Sequence, residues 1–340
     1  MQNHPVLNLI KKRYIEKSKP SQRKAEMDNI KLGLVLEGGG MRGVVGAGMA
    51  TALHYLGLVD TFDAVYGSSA GALAGSLFVT QTMPIGPTIY YDDLISKGFI
   101  DLKNMFSRSK PIMNIDYLMD TVLKQRKPLN WRGVIESDIR LNIIVSSLTK
   151  RKSLCINDYN TKEDLFTLLK ASATVEFVAG PPIKHRNDLL WDSAFYEPIP
   201  YKSAIADGCT HLLVLLTRPE GTTKGDPSLL DKYFFAPKLK KINPGLEIDY
   251  LRRPEEYKKD VKYLYSQNLQ TDNTSSIYSV FLSKENKPIS GLVKDRNKMI
   301  EGATMGMKAV FDLFLDDEFI RYQEVLMPFN KYGVIPELKK

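Results

Sequence analysis

One serine of this sequence lies in a setting that favours nucleophilic chemistry. Residues 67–71 form the pattern G-x-S-x-G, with an apolar run before them and a helix-forming run after them. Glycines two places before and after the serine allow a sharp strand-to-helix turn, and the hydroxyl then lies near the positive end of the helix. We therefore predict a nucleophile elbow made of Gly67, Ser68, Ser69, Ala70 and Gly71.

A serine nucleophile needs a base to accept its proton, and the sequence offers two solutions. The chain has four histidines, His4, His54, His185 and His211. His211 opens an apolar run and would complete a triad in the order Ser69, Asp192, His211. Alternatively, Asp192 acts alone, because a carboxyl after an apolar run is expected at a buried strand end, where burial raises its pKa toward a useful value. Both solutions stay open on this reasoning.

A glycine-rich segment, LGLVLEGGGMRGVVGAGM, precedes the elbow. In it Gly38, Gly40 and Gly43 satisfy G-x-G-x-x-G between a predicted strand and a predicted helix, the pattern of a dinucleotide site. Such a site also needs an acidic residue at the end of the next strand, about 20 positions on. That end holds the glycine and serine of the elbow, and Asp60 and Asp63 precede the strand. The sequence therefore argues against a dinucleotide cofactor.

Strand-like and helix-like segments alternate along the chain and must position these residues. Strands are predicted at 32–36, 64–66, 139–148, 211–217 and 277–282. Helices are predicted at 43–56, from residue 70, and at 162–172, 254–269 and 297–314. This alternation is typical of an α/β protein whose parallel sheet is covered by helices on both faces.

Composition excludes several classes of protein. No apolar run approaches the roughly 18–20 residues of a membrane span, and no secretory signal is evident. The two cysteines, Cys155 and Cys209, fit reduced thiols better than a disulfide or a metal site. Zinc-finger spacing and interleaved aromatic and basic residues are missing, so we expect no nucleic-acid partner. We expect a cytoplasmic protein, with peripheral attachment to a membrane surface as a further option.

Three motifs in order along the chain resemble those of the patatin-like phospholipases. They are GGGMRG at 38–43, GSSAG at 67–71 and Asp192-Ser193-Ala194. Proline-containing segments at 180–182 and 197–200 are also similar to that family. LTRPEG and RRPEEY, further along, resemble its bacterial-type branch with a C-terminal extension, so that the resemblance covers about residues 32–316.

The resemblance implies a three-layer α/β fold with a central, mostly parallel sheet flanked by helices. It implies a Ser–Asp dyad with Ser69 as nucleophile and Asp192 as base, and no cofactor or metal. It also implies an oxyanion hole formed by the glycine-rich loop, that is by Gly38, Gly39, Gly40, Met41, Arg42 and Gly43. The expected function is a serine lipid acyl hydrolase that cleaves carboxylic esters of phospholipids, lysophospholipids or related acyl lipids through an acyl-enzyme.

Two departures from the family pattern keep an alternative function open. Glu197 stands where polar neutral residues are common in the family. Ser193 stands where the family usually has glycine, and a serine would be strained there if the backbone needs a positive φ. The alternative is a catalytically weak lipid-binding protein. The acyl lipid, at a membrane or lipid surface, is the expected partner in either case.

The distribution of charge and the resemblance to the family suggest how the chain is organised. Residues 1–31 carry a net charge of +5 out of the +8 of the whole chain. We expect this basic leader to be solvated and partly disordered, with attachment to anionic lipid headgroups as the alternative. Residues 32–217 are expected to form the patatin-like catalytic domain, with a lid or insertion at 80–137. Residues 218–340 are expected to be a C-terminal extension packed on the same domain, opening with an irregular connection at 218–243.

Overall fold

The computed structural model describes residues 4–26, 29–107, 110–270 and 276–314. Its helices are α1 Pro5–Ile15, α2 Pro20–Ala25, α3 Gly43–Tyr55, α4 Ala70–Val79, α5 Ile85–Thr88, α6 Trp131–Glu136, α7 Lys162–Ala173, α8 Tyr201–Ala206, α9 Ala236–Ile242, α10 Leu246–Asn268 and α11 Arg296–Phe314. Its strands are β1 Leu32–Leu36, β2 Ala64–Ser68, β3 Arg140–Ser147, β4 Lys152–Ile156, β5 Ile183–His185, β6 Asp188–Trp191, β7 His211–Pro219 and β8 Ile277–Leu282. Short 3₁₀ turns occur at Gly40–Arg42, Val59–Thr61, Leu102–Phe106 and Ser193–Phe195, and π-helical turns at Ile89–Leu94, Tyr117–Arg126 and Asp231–Phe235.

The strands of the described residues form one mixed sheet. Its order is β5-β6-β3-β2-β1-β7-β8, with β4 paired to β3. The five strands from β3 to β8 along this path run parallel, and β4, β5 and β6 pair antiparallel. The predicted α/β fold with a mostly parallel sheet flanked by helices is therefore confirmed. Of the three antiparallel strands, β4 and β5 were not predicted from the sequence, and β6 was predicted only as the buried strand end before Asp192.

The arrangement around β3 explains how distant parts of the chain meet. Strand β4 pairs with residues 143–147 along one edge of β3, and β2 pairs with residues 140–144 along the other. Because β6 pairs with Ser146 and Ser147, whose β4 edge is already occupied, β6 continues the edge used by β2. The residue that follows β6 is thus brought beside the residue that follows β2.

The sheet is covered on both faces. The largest buried cluster includes apolar side chains of α3, α4, α7 and α11 on one face, and α11 packs closely along α3. Side chains of α8 and α10 cover the other face against alternate residues of β1, β2 and β7. A third cluster joins Leu148, Trp191 and Phe195 to α9 and the start of α10.

The basic N-terminal segment is folded, which corrects the expectation of a solvated, partly disordered leader for residues 4–26. Val6, Leu7 and Ile10 of α1 are buried in the main cluster. Arg13 and Arg23 are buried too, and their guanidinium nitrogens lie 2.6 and 2.7 Å from the carboxylate of Asp63. Charge counting along the segment could not show that two of its cations pair with one distant carboxylate. Residues 1–3 and 27–28 lie outside the described residues.

The C-terminal third also differs from the prediction in detail. The connection expected to be irregular at 218–243 contains the turn Asp231–Phe235 and α9. Helix α10 begins after Gly245, whose φ is +98°, and contains Pro254 in its interior. The helix predicted at 254–269 therefore starts too late, since the structure extends it eight residues toward the N-terminus. Strand β8 and α11 join the main body, and residues 271–275 and 315–340 lie outside the described residues.

Within the described part of the chain, every helix is too short or too polar to cross a membrane.

Candidate active site

Ser69 lies at the tip of the turn between β2 and α4. Its φ is +54° and its ψ is −120°, a conformation that costs a non-glycine residue about 1–3 kcal/mol. The surrounding glycines leave no room for a side chain. A Cβ on Gly67 would lie 2.4 Å from Cα of Ala72, and one on Gly71 would lie 2.3 Å from the carbonyl oxygen of Leu36. The turn therefore needs both glycines of the predicted elbow.

Ser172, to which the sequence analysis gave no role, supports this turn through a hydrogen bond. Oγ of Ser172, at the end of α7, accepts a hydrogen bond of 2.9 Å from the backbone N–H of Ser69. The same hydroxyl donates a bond of 2.6 Å to the carbonyl oxygen of Ile144 in β3. The signal for it was the Ala-Ser pair that ends the predicted helix at 162–172, to which no role had been given.

The hydroxyl of Ser69 contacts the carboxyl of Asp192. Oγ of Ser69 donates a hydrogen bond of 2.7 Å to Oδ2 of Asp192, and Oδ1 accepts one of 2.7 Å from the backbone N–H of Ala194. The backbone N–H of Asp192 is bonded to the carbonyl oxygen of Thr174 at 3.0 Å. Both oxygens of the carboxyl are thus held in fixed directions.

Burial sets the acidity of this carboxyl. Asp192 is 1% exposed, and the loss of hydration raises its pKa from 3.8 to about 6. The hydrogen bonds from Ser69 and Ala194 and the positive charge of Lys224 act in the opposite direction. A carboxylate with such a pKa is ionised at neutral pH yet basic enough to accept a proton.

His211 does not reach this pair, so the triad is not assembled. It pairs with Leu32 at the beginning of β1, whereas Leu215 pairs with Leu36 at the end that leads to the glycine-rich loop. Four residues of strand separate the two ends by roughly 13 Å. Burial lowers the pKa of His211, and its Nδ1 lies 3.0 Å from the hydroxyl of Thr210. The pairing register, which the sequence does not show, puts the histidine at the wrong end of the sheet.

The glycine-rich loop has only some of its backbone N–H groups free. Four of the six already have carbonyl partners: Gly38 with Pro198, Met41 with Gly291, Arg42 with Gly39, and Gly43 with Gly40 and Met41. Among the described residues, the N–H groups of Gly39 and Gly40 have no partner, and neither does that of Ala70. Gly40, Ser69 and Ala70 line the same cavity. The groups available to a ligand are therefore fewer than the six predicted from the motif, and Ala70 joins them.

The side chain of Arg42 supports the glycine-rich loop. It is buried, its Nε donates a hydrogen bond of 3.1 Å to the hydroxyl of Thr217, and its guanidinium packs against Gly39. Glu37 accepts bonds of 2.6 Å and 2.8 Å from the backbone and hydroxyl of Thr217, and one of 2.7 Å from the hydroxyl of Tyr257. This network ties the loop to β7 and α10.

An apolar cavity opens directly beside Ser69. It is narrow in the conformation described, with about 30 Å³ of space for the centre of a water-sized sphere. Half of its wall comes from the segment predicted to be a lid at 80–137, which contributes Tyr90, Leu94, Phe99, Met113, Ile115, Leu118 and Met119. The remainder includes residues of α4 and α7. A hydrocarbon chain attached to a group at Ser69 fits the chemistry of this wall.

Ser193 is accommodated without the strain considered above. Its φ lies outside the left-handed region, so glycine is not required there. Its hydroxyl lies 2.5 Å from the hydroxyl of Ser68, beneath the elbow. Ser68 thus points away from the cavity and links the elbow to the segment that carries Asp192. Glu197 is also turned inward, where it accepts hydrogen bonds from Ser153 and Ser203.

One family model covers the part of the chain that contains the three motifs. The family model described as patatin-like phospholipase matches residues 34–205, just over half of the chain. No curated protein matches. Among solved structures, the crystal structure of VipD from Legionella pneumophila is 13% identical and aligns with a TM-score of 0.37, covering 83% of this chain and 67% of that one. By the match to the family model, the chain belongs to the patatin-like phospholipase family.

Proposed function

We propose that the protein is a serine lipid acyl hydrolase that cleaves carboxylic esters of phospholipids, lysophospholipids or related acyl lipids. The observation that carries the proposal is the 2.7 Å hydrogen bond between Oγ of Ser69 and the buried carboxyl of Asp192, at the edge of an apolar cavity. Membership of the patatin-like phospholipase family supports the reaction class. The buried pair and the apolar wall support an ester of a fatty acid as its substrate.

In the proposed reaction Ser69 is the nucleophile and Asp192 the general base. Asp192 accepts the hydroxyl proton as Oγ attacks the ester carbonyl carbon, forming a tetrahedral oxyanion. Collapse of this intermediate expels the alcohol, which takes the proton from Asp192, and leaves the acyl group on Ser69. Asp192 then takes a proton from water, whose oxygen attacks the acyl carbon. The fatty acid leaves and Oγ of Ser69 recovers the proton.

We propose that the oxyanion is bound by the N–H groups of Gly39, Gly40 and Ala70. The argument is their lack of other partners and the position of Gly40 and Ala70 beside Ser69 in the cavity. Ala70 directly follows the nucleophile and opens α4, so its N–H has no partner within the helix. The removal of one such donor typically costs about 3–4 kcal/mol of transition-state stabilisation. The bond between Met41 and Gly291 excludes the N–H of Met41 from this role in the conformation described.

Substitution of the two proposed catalytic residues tests the reaction. Ser69→Ala and Asp192→Asn should each lower the hydrolysis of a short-chain nitrophenyl ester and of phospholipid by at least about a thousandfold. Ser266→Ala and Asp312→Asn, at exposed positions, serve as matched controls and should hydrolyse both at the wild-type rate. Wild-type turnover in either Ser69→Ala or Asp192→Asn would refute the dyad.

A second measurement separates this proposal from the two alternatives. A fluorophosphonate probe should label the wild-type protein at Ser69, whereas a lipid-binding protein without catalysis would stay unlabelled. His211→Ala should retain activity, because the register of β7 keeps its imidazole away from Ser69. Loss of activity in folded His211→Ala would favour a triad.

A further inference from the structure

A short surface segment exposes an unusual number of large apolar side chains. Leu229, Leu230, Tyr233 and Phe234 are 73%, 65%, 77% and 51% exposed. Single exposed apolar residues are normal, but four within six positions form a patch of the kind that marks an interaction site. We call residues 229–242, which include the turn Asp231–Phe235 and α9, the aromatic-basic patch.

The aromatic-basic patch is attached to the rest of the protein by buried contacts. The ring of Phe235 stacks on Phe177 with centroids 4.4 Å apart, and Leu239 is fully buried. The hydroxyl of Tyr250 donates a hydrogen bond of 2.7 Å to Asp231. These contacts anchor the segment that carries the four exposed side chains.

The charges of the patch are nearly all positive. It carries four lysines, Lys232, Lys238, Lys240 and Lys241, and one acidic residue, Asp231. That carboxylate is already bonded to Ser228 and Tyr250. Among the described residues these four lysines form no ion pair with a carboxylate, and Nζ of Lys238 lies 3.7 Å from the ring centroid of Phe234. Exposed aromatic and aliphatic groups beside free ammonium groups match a surface with an apolar interior and anionic headgroups.

The patch lies close to the candidate active site. Phe177, on which Phe235 stacks, follows Val175 of the cavity wall by two residues. Phe177 also packs edge-on against Trp191, the residue before Asp192, with centroids 5.6 Å apart. A surface that binds the patch is therefore placed beside the segments that carry the cavity and the base.

We propose that the aromatic-basic patch docks the protein on lipid bilayers that contain anionic lipids. Leu229, Leu230, Tyr233 and Phe234 enter the boundary between headgroups and acyl chains, and the lysines contact headgroup phosphates. The role of this docking in catalysis rests on the proposed function, since it brings acyl lipid to the cavity. The binding itself needs only the exposed side chains and their charge.

Cosedimentation with vesicles tests the docking. The probes are vesicles of phosphatidylcholine alone and of phosphatidylcholine mixed with phosphatidylglycerol. Wild type should bind the mixed vesicles more tightly, and Tyr233→Ser/Phe234→Ser and Lys240→Glu/Lys241→Glu should each weaken this binding about tenfold or more. The matched controls Ile15→Ser/Leu269→Ser, exposed apolar residues elsewhere, and Lys258→Glu/Lys262→Glu should bind as wild type does.

Two further measurements separate docking from catalysis and from folding. All variants should keep the wild-type thermal transition and the wild-type rate on a soluble nitrophenyl ester, and the patch variants should lose rate only on vesicle phospholipid. Ser69→Ala should bind vesicles as wild type does, because docking does not need catalysis. If wild type binds vesicles through the patch but hydrolyses no ester, the proposed function is refuted and the docking proposal stands.

Three results would overturn the docking proposal. They are equal binding by patch and control variants, equal binding to neutral and anionic vesicles, and no binding by wild type. Light scattering adds a fourth: a wild-type dimer that becomes monomeric in Tyr233→Ser/Phe234→Ser with vesicle binding unchanged would assign the patch to self-association.

Discussion

Replacement of Asp192 by asparagine should abolish hydrolysis and, at neutral pH, make the protein more stable. The carboxyl of Asp192 is 1% exposed and must be ionised to act as a base. Ionisation inside the protein costs free energy that a neutral amide of nearly the same shape does not require. The ionised carboxyl that the proposed reaction requires therefore lowers the stability of the folded protein. Asp192→Asn should remove the activity and this cost in stability together.

The size of the effect follows from the shift in pKa. Burial raises the pKa of Asp192 from 3.8 to about 6, and a difference of about 2 units corresponds to about 3 kcal/mol. The protonated carboxyl stabilises the folded state fully below the unfolded pKa, and this contribution is lost as the pH rises through 6. Asp192→Asn keeps the neutral state throughout. Its gain in the free energy of unfolding should therefore approach about 3 kcal/mol at pH 8 and fall to roughly half of that at pH 5.

Urea denaturation of both proteins at pH 5 and pH 8 measures this gain. The pH profile of kcat/KM for wild type gives the same pKa independently, with a tenfold loss per unit below about pH 6. Asp312→Asn, an exposed substitution, should change stability at neither pH. The reasoning is refuted if Asp192→Asn is no more stable than wild type at pH 8, or if its gain is the same at both values of pH.

Three further predictions concern the elbow, the cavity and the N-terminal segment. Gly71→Ala should lower the thermal transition and remove activity, because its Cβ would lie 2.3 Å from the carbonyl oxygen of Leu36; an active, equally stable variant would contradict the elbow geometry. Leu118→Trp, in the cavity wall, should reduce hydrolysis of a palmitoyl ester at least tenfold relative to a butyryl ester, and an unchanged ratio would place the acyl chain elsewhere. Arg23→Ala should lower the free energy of unfolding in urea by about 1.5–3 kcal/mol, because it removes the charged hydrogen bonds of a buried guanidinium while Asp63 keeps Arg13 as its partner, whereas exposed Lys24→Ala should change it by less than about 0.5 kcal/mol; equal effects would mean that α2 is not packed against the domain.

Strands and turns with strong local signals were predicted closely. The predicted strands at 32–36 and 277–282 coincide with β1 and β8, and the helix predicted at 297–314 differs from α11 by one residue. These segments are continuous apolar runs or amphipathic helices, whose patterns depend only on neighbours along the chain. The elbow was predictable for the same reason, because two glycines around a serine limit the turn locally.

Elements that depend on distant partners were missed. Strands β4 and β5 are five and three residues long and not buried, so their sequences carry little periodicity. The buried run of β6 was recognised only as the strand end before Asp192. Helices α1 and α2 were hidden by their lysines and arginines, since no local pattern reveals that Asp63 binds two of these cations. The resemblance to a family supplied the role of the glycine-rich loop, but not which of its N–H groups remain free.

The sequence by itself determined the candidate chemistry: a serine in a glycine elbow, a carboxyl after an apolar run, and a loop of glycines in the order of one family. Tertiary structure decided which of the candidate side chains lie together, because the edge of β3 shared by β2 and β6 brings Asp192 to Ser69, while the register of β7 keeps His211 away. It also selected the free donors of the loop, since Gly291, 250 residues further on, already binds Met41. The conformation of a local turn depends on residues that are neighbours along the chain, whereas contacts across a sheet form only when distant segments pair.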